Sequence, residues 1–167
     1  MVFLISKICY SLDVKINTPI GDLRLVAQNG ALTHVFFEGE EYPQNIIEQD
    51  REVLEQAKIQ LEEYFAGKRK VFTVPINPAG APFCKKVWEI MVQQIKYGST
   101  ICYSDLARLA GSERACRAVG MANNRNPIPI IIPCHRVVGK HGDLVGFRSG
   151  LDIKTKLLAL EQKKRIY

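Results

Sequence analysis

Apolar and polar residues alternate from Leu23 through Leu25 to Ala27, the two-residue period of a strand with one buried face. Thr18-Pro19-Ile20-Gly21 reads as a turn before it, and Asn29-Gly30 as a hairpin turn after it. The flanking stretches 12–17 and Leu32–Phe37 are therefore predicted to pair with it in a small antiparallel sheet. Residues 2–10 predict a further edge strand, with no basic region before it to suggest a signal peptide. The period then changes. Ile46, Val53, Leu54, Ala57, Leu61, Tyr64 and Phe65 recur at helical spacing, with Asn45 as candidate cap and Gly67 as stop. Lys68–Val74 predicts another strand, and Pro75–Pro82 reads as a linker.

Beyond the linker the pattern is mostly helical. Phe83, Val87, Trp88, Met91 and Ile95 mark one amphipathic helix. The turn at Tyr97–Thr100 leads to a second, around Tyr103–Ala110. Gly111-Ser112 then turns the chain, with Ser112 as candidate cap for a third helix over Glu113–Asn124. Two short helices joined by a glycine-containing turn are the pattern of a helix-turn-helix, which many helical hairpins share. The third helix carries small Ala115, Ala118 and Ala122 beside Arg114 and Arg117 on its expected outer face. Small residues allow close approach and arginine can fill a gap in a base stack; helix propensity and solubility are the plainer reading. A last helix, with Asp152 as candidate cap, turns Ile153, Leu157 and Leu160 inward.

Charge sharpens this division. Residues 1–80 carry 8 Lys/Arg against 11 Asp/Glu, and residues 81–167 carry 15 against 6. One half is thus acidic and the other strongly basic, which points the second half towards a polyanion. The fold class expected is two-domain α/β, with an N-terminal domain over 1–78 and a C-terminal domain over 79–167. No apolar stretch is long enough to span a membrane. The five cysteines are odd in number and lack C-x-x-C spacing, so neither a disulfide framework nor a zinc knuckle is indicated, and a reducing cytosolic setting fits.

The chemistry concentrates in Ile130–Gly139. Asn126-Pro127-Ile128-Pro129 forces an extended path, three isoleucines follow, and Pro133 ends the run before Cys134 and His135. A thiolate is the nucleophile in cysteine chemistry, and a neighbouring imidazole can take the thiol proton. Adjacent residues on a strand point apart, so contact here requires a turn or a bridging water. Glu161, on the edge of the inward face of the last helix, can orient the imidazole as in a catalytic triad, or serve an ordinary salt bridge. Peptidases, thiol transferases and alkyl acceptors all use such a pair.

The segments Arg117-Ala118-Val119-Gly120, Asn126-Pro127, Ile132-Pro133-Cys134-His135-Arg136-Val137 and Leu157–Glu161 together resemble the O6-alkylguanine-DNA alkyltransferases in order and spacing. The resemblance covers nearly the whole chain and is strongest over 83–161. It implies a ribonuclease H-like N-terminal domain and a winged-helix-like C-terminal domain. It also implies a single-turnover reaction that moves an alkyl group from guanine O6, and in some members from thymine O4, irreversibly to cysteine. The implied partner is double-stranded DNA containing O6-alkylguanine, bound through its minor groove by a monomer. No cofactor is implied, and the setting is cytoplasmic, or nuclear in a eukaryote.

Carried over residue by residue, Cys134 is the acceptor, His135 its base through a water, and Glu161 the group that orients His135. Asn126 fixes the turn, and Tyr103 donates to the departing base. Arg117 fills the gap left by the flipped nucleotide, with Arg114, Ala115 and Ala118 on the same DNA-facing helix. Ser149 stands at the O6 side of the pocket, and Val137 and Arg148 wall it. Three positions depart from the family pattern: Cys102 replaces the usual hydroxyl cap before Tyr103, Arg148 an uncharged pocket residue, and Lys156 a bulky aromatic. Cys9 is near one zinc-ligand position of some members, but no second cysteine follows it, so no metal is expected. Rival readings are a binding-only relative of the same family, a helix-turn-helix regulator and a cysteine hydrolase. The first would lack the acceptor cysteine and the second would leave Cys134, His135 and Glu161 unused.

Overall fold

The computed structural model describes residues 14–43 and 50–162. The strand expected over 2–10, the candidate cap Asn45, and Ile46 and Cys9 all lie outside the described residues. Three antiparallel strands, β1 (Val14–Thr18), β2 (Gly21–Gln28) and β3 (Ala31–Phe37), form the first sheet in the order β1-β2-β3. Asn29 and Gly30 both adopt positive φ, 53° and 77°, as a two-residue hairpin turn matched to strand twist requires. Leu23, Leu25 and Ala27 are fully buried, as their alternation predicts.

Helix α1 (Arg51–Phe65) packs against this sheet. Its cap is Asp50, whose side chain accepts from Val53 N at 3.3 Å and from Gly30 N at 3.0 Å, tying the helix start to the hairpin turn. Gly67, at φ 72°, ends it.

The segment Lys68–Val74 is not the expected strand. Its later backbone groups are satisfied by side chains instead. Gln60 Oε1 accepts from Thr73 N and Val74 N at 2.8 and 3.2 Å, and Arg69 donates to Val71 O at 2.9 Å. These bonds compete with a strand ladder, and Pro75 follows with no N–H to give. The linker then crosses to the second half under restraint. Leu32 N donates to Pro75 O at 2.8 Å, and Asn77 N to Leu32 O at 2.9 Å. Gly80 lies so close to Trp88 that a Cβ there would sit 2.6 Å from the ring.

In the second half, α2 (Pro82–Gln94) precedes a short strand β4 (Ile101–Cys102), α3 (Tyr103–Leu109) and α4 (Cys116–Asn124). Trp88 of α2 donates its indole N–H to Ala122 O at 2.8 Å, fastening α4. The third predicted helix begins differently from expectation: Glu113–Ala115 form a 3-10 turn, and Ser112 makes no side-chain capping bond. Ala122 is buried rather than on the outer face, because that edge of α4 packs on Trp88. Strand β5 (Val137–Val138) pairs parallel with β4, and α5 (Leu151–Gln162) closes the chain. Asp152 lies within the first turn of α5 instead of before it, where its charge still suits the helix dipole.

One apolar core joins the halves, from Leu32 and Leu61 through Trp88 and Met91 to Ile128 and Leu157. Each fully buried Leu or Ile in it contributes about 1.5–3 kcal/mol. Among the described residues no helix is long and apolar enough to cross a membrane.

Candidate active site

The isoleucine run is a tight buried turn. Ile130 takes φ 75°, a left-handed conformation that a β-branched residue adopts only when its surroundings enforce it. Asn126 supplies the enforcement: its Nδ2 donates to Ile132 O at 2.9 Å and its Oδ1 accepts from Ile128 N at 3.0 Å. Pro133 then leads into a 3-10 turn over Cys134–Arg136. This turn resolves the problem of adjacent cysteine and histidine. Both leave a curved backbone, not the two faces of a strand, and both are buried.

Glu161 is the centre of the contacts that hold His135 and Arg136. His135 Nε2 lies 2.7 Å from Glu161 Oε1. Arg136 donates Nε to Oε2 at 2.8 Å and Nη2 to Oε1 at 2.9 Å, a two-pronged pairing. Gly98 N reaches Oε2 at 3.0 Å, and the Tyr64 hydroxyl reaches Oε1 at 2.8 Å. Burial alone would raise the Glu161 pKa, but the His135 and Arg136 hydrogen bonds and charges outweigh it and hold it down to about 2. Glu161 is therefore a carboxylate that only accepts, so His135 Nε2 carries the proton. Burial lowers the His135 pKa, which leaves the ring neutral and Nδ1 a free base. Nδ1 is buried and has no hydrogen-bond partner.

Cys134 is buried, and burial pushes its thiol pKa up. A hydrogen bond from the Asn126 side chain and the charges of Arg148 and Lys154 pull the other way. Lys154, itself fully buried, donates to Val137 O at 2.7 Å and to Val145 O at 3.0 Å, pinning Val137 to the loop that precedes α5.

The β4–β5 pairing sets Tyr103, next after β4, beside the Cys134 turn. A cavity of about 540 Å³ opens there, lined by Tyr103, Gly120, Asn123, Asn124 and Val145–Arg148. Asn123 Nδ2 donates to the Tyr103 hydroxyl at 3.3 Å, which leaves the tyrosine its own O–H to give. Cys102 makes no capping bond; its thiol donates to Asp105 at 2.9 Å.

Other expected residues sit further out. Arg114, Arg117 and Ala118 are exposed along the outside of α4 and its preceding turn, and Ala115 is half-buried. Ser149 does not line the cavity; its hydroxyl donates to Glu40 Oε1 at 3.4 Å. Arg148 lines it while paired with Glu40 at 2.8 Å. Sequence reasoning missed the roles of Arg136, Lys154, Tyr64 and Gly98. Lys154 carried a signal, since it shares a helical face with Leu157, Leu158 and Glu161.

The sequence model described as "6-O-methylguanine DNA methyltransferase, DNA binding domain" matches residues 82–163, and the corresponding "ribonuclease-like domain" matches 12–78. The chain belongs to the O6-methylguanine-DNA methyltransferase family. Within it, the chain is 47% identical over 148 residues to the methylated-DNA–protein-cysteine methyltransferase of Methanosarcina acetivorans, covering 86% of this chain and 94% of that one. It is 41% identical to the constitutive enzyme of Bacillus subtilis, covering 87% and 92%. The O6-methylguanine methyltransferase of Mycobacterium tuberculosis superposes with a TM-score of 0.80 at 37% identity, covering 91% and 93%. The same protein in complex with DNA superposes with a TM-score of 0.81 at 38% identity, covering 90% and 92%. The methyltransferase fold therefore accounts for both halves, including the short helical pair that carries the basic face.

Proposed function

We propose that the chain repairs O6-alkylguanine in double-stranded DNA by taking the alkyl group onto Cys134. The observation that carries this reading is the relay behind the thiol: neutral His135 with an unpartnered, buried Nδ1 and a proton on Nε2 held by ionised Glu161. A water bridging Cys134 and Nδ1 passes the thiol proton to the imidazole, and Glu161 stabilises the imidazolium. Sulfur then attacks the alkyl carbon. The S–C bond forms, the C–O6 bond breaks, and its electron pair leaves with guanine. Tyr103 gives its hydroxyl proton to the departing base, which leaves neutral, and the proton held on His135 then returns through water to the phenolate. The product is a thioether, so each molecule acts once, and no cofactor enters.

DNA contact belongs to α4 and the turn before it. Arg114, Ala115 and Ala118 approach the minor groove, and Arg117 fills the space left by the flipped nucleotide. Support comes from the exposure of Arg117 and Ala118 on the helix that lines the cavity and of Arg114 on the turn before it, and from the basic charge of this half. Val137 and the loop bearing Arg148 and Ser149 enclose the base. The chain acts as a monomer of two domains, 1–78 and 79–167; the separate family matches to 12–78 and 82–163 support that division.

Incubation with excess duplex containing O6-methylguanine, followed by intact-mass and peptide analysis, tests the reading. One methyl per protein, on Cys134, is expected. No adduct, or repeated turnover, overturns it. A binding-only relative would give no adduct, and a cysteine hydrolase would turn over without DNA.

A further inference from the structure

Glu40 stands in the acidic half, on the turn that follows β3, and nothing in its sequence context marks it. Its carboxylate nevertheless receives the pocket loop. Arg148 Nε donates to Oε1 at 2.8 Å and Nη2 to Oε2 at 3.2 Å. Ser149 Oγ donates to Oε1 at 3.4 Å. Glu40 is itself anchored, because Oε2 accepts from Phe37 N at 2.9 Å. The residue before the pair joins in: Phe147 meets the Phe37 ring edge-on at 6.0 Å between centroids. Three consecutive loop residues are thus held by one end of the N-terminal sheet.

We propose that Glu40 is a specificity-determining positioning residue, a clasp on residues 147–149 that limits how large an alkyl group the pocket accepts. This rests on the alkyl-transfer reading above. The clasped residues lie between Gly146 and Gly150, whose φ values of 39° and 94° and open surroundings provide a pivot at each end. Arg148 is the working part. It walls the cavity together with Tyr103 and Asn123, and its remaining Nη1 donates to Asn126 O at 3.1 Å. Asn126 is the residue whose side chain fixes the Cys134 turn, so the clasp sets the distance between the loop wall and the nucleophile. The pair is partly exposed, with side chains 36% and 22% accessible, and pairs of that kind hold weakly. The clasp therefore yields to a ligand at a cost, and that cost rises with the size of the group beside Arg148. Glu40 does not touch the reacting atoms and acts only through Arg148 and Ser149.

The test compares two duplexes of one sequence, carrying O6-methylguanine or O6-benzylguanine, in single-turnover reactions of the full chain. In Glu40→Gln the benzyl-to-methyl rate ratio is expected to rise about tenfold, the scale on which a pocket discriminates neighbouring sizes. The double variant E40R/R148E restores the pair with reversed charges and is expected to return the ratio towards that of the parent. Should Glu40→Gln fail to fold, Arg148→Gln breaks the same pair from the other side. An unchanged ratio in a folded variant, or equal losses on both duplexes, overturns the clasp. A parent protein that takes no alkyl group from either duplex overturns the transfer reading instead.

Discussion

The hydroxyl of Tyr64, on α1 of the acidic half, donates to Oε1 of Glu161 on α5 at 2.8 Å, across 97 positions of sequence. The same oxygen receives His135 Nε2 at 2.7 Å. The N-terminal half thus reaches the buried Glu161 carboxylate directly. Tyr64→Phe keeps the ring and removes the donor. The expected outcome is a slower single-turnover transfer with unchanged DNA affinity. Loss of a buried bond to a charged acceptor costs about 1–3 kcal/mol, measurable by urea unfolding. Unchanged transfer would show that His135 and Arg136 suffice to orient Glu161.

Acid should destabilise the protein in two stages. His135 has its pKa lowered by burial, so below about pH 6.5 the unfolded chain binds a proton that the folded ring refuses. Glu161, held at about 2, adds stability that is complete above the unfolded value near 4.3 and is lost as pH falls towards its folded pKa. Urea midpoints across this range should therefore fall from about pH 6.5 downward. Glu161→Gln should be less stable at neutral pH and should flatten the part of the curve below about 4.3.

Gly98 holds two constraints at once. Its φ is 77°, and a Cβ there would stand 3.2 Å from Glu161 O, while its N–H binds Glu161 Oε2. Gly98→Ala should cost about 1–3 kcal/mol in urea unfolding and should slow transfer by displacing the carboxylate. Normal transfer in this variant would show that α5 tolerates the shift.

Lys154 ties Val137 O and Val145 O together. Lys154→Met keeps the length of the chain but strands the buried Val137 carbonyl, a loss of about 1–3 kcal/mol. Transfer should slow as well, since the Val145–Arg148 wall loses its tie to the active turn. Thermal unfolding beside the mass assay separates the two effects.

Arg117→Ala should weaken binding to alkylated duplex, seen by fluorescence anisotropy, while leaving the rate with free O6-benzylguanine base near that of the parent. Equal losses in both assays would count against its place in the stack.

The legible parts were those with local causes. Asn29-Gly30 announced a hairpin because few other pairs adopt two positive φ angles. The alternation at Leu23, Leu25 and Ala27 announced a buried face. The pairing of His135 with Glu161 was legible as chemistry, because a carboxylate on the inward edge of the last helix can orient an imidazole. The hidden parts depend on tertiary partners. Lys68–Val74 has strand composition, yet Gln60 takes its amides. Ala122 and Ala118 look alike in sequence and differ only in which one faces Trp88. Glu40 and Tyr64 carry no local sign of their distant partners, because only the assembled fold brings Arg148 and Glu161 to them.

The proline-rich segment between the halves has a mechanical consequence. Its side chains are largely exposed, but its backbone is bonded to Leu32 at one end and Gly80 rests on the Trp88 ring at the other. A protease attacking it would have to peel the chain off both surfaces before its own cleft could close on a peptide bond. Limited digestion should therefore leave the two halves uncut at their boundary, and a gene cut at residue 78 would sever a strut, not a tether.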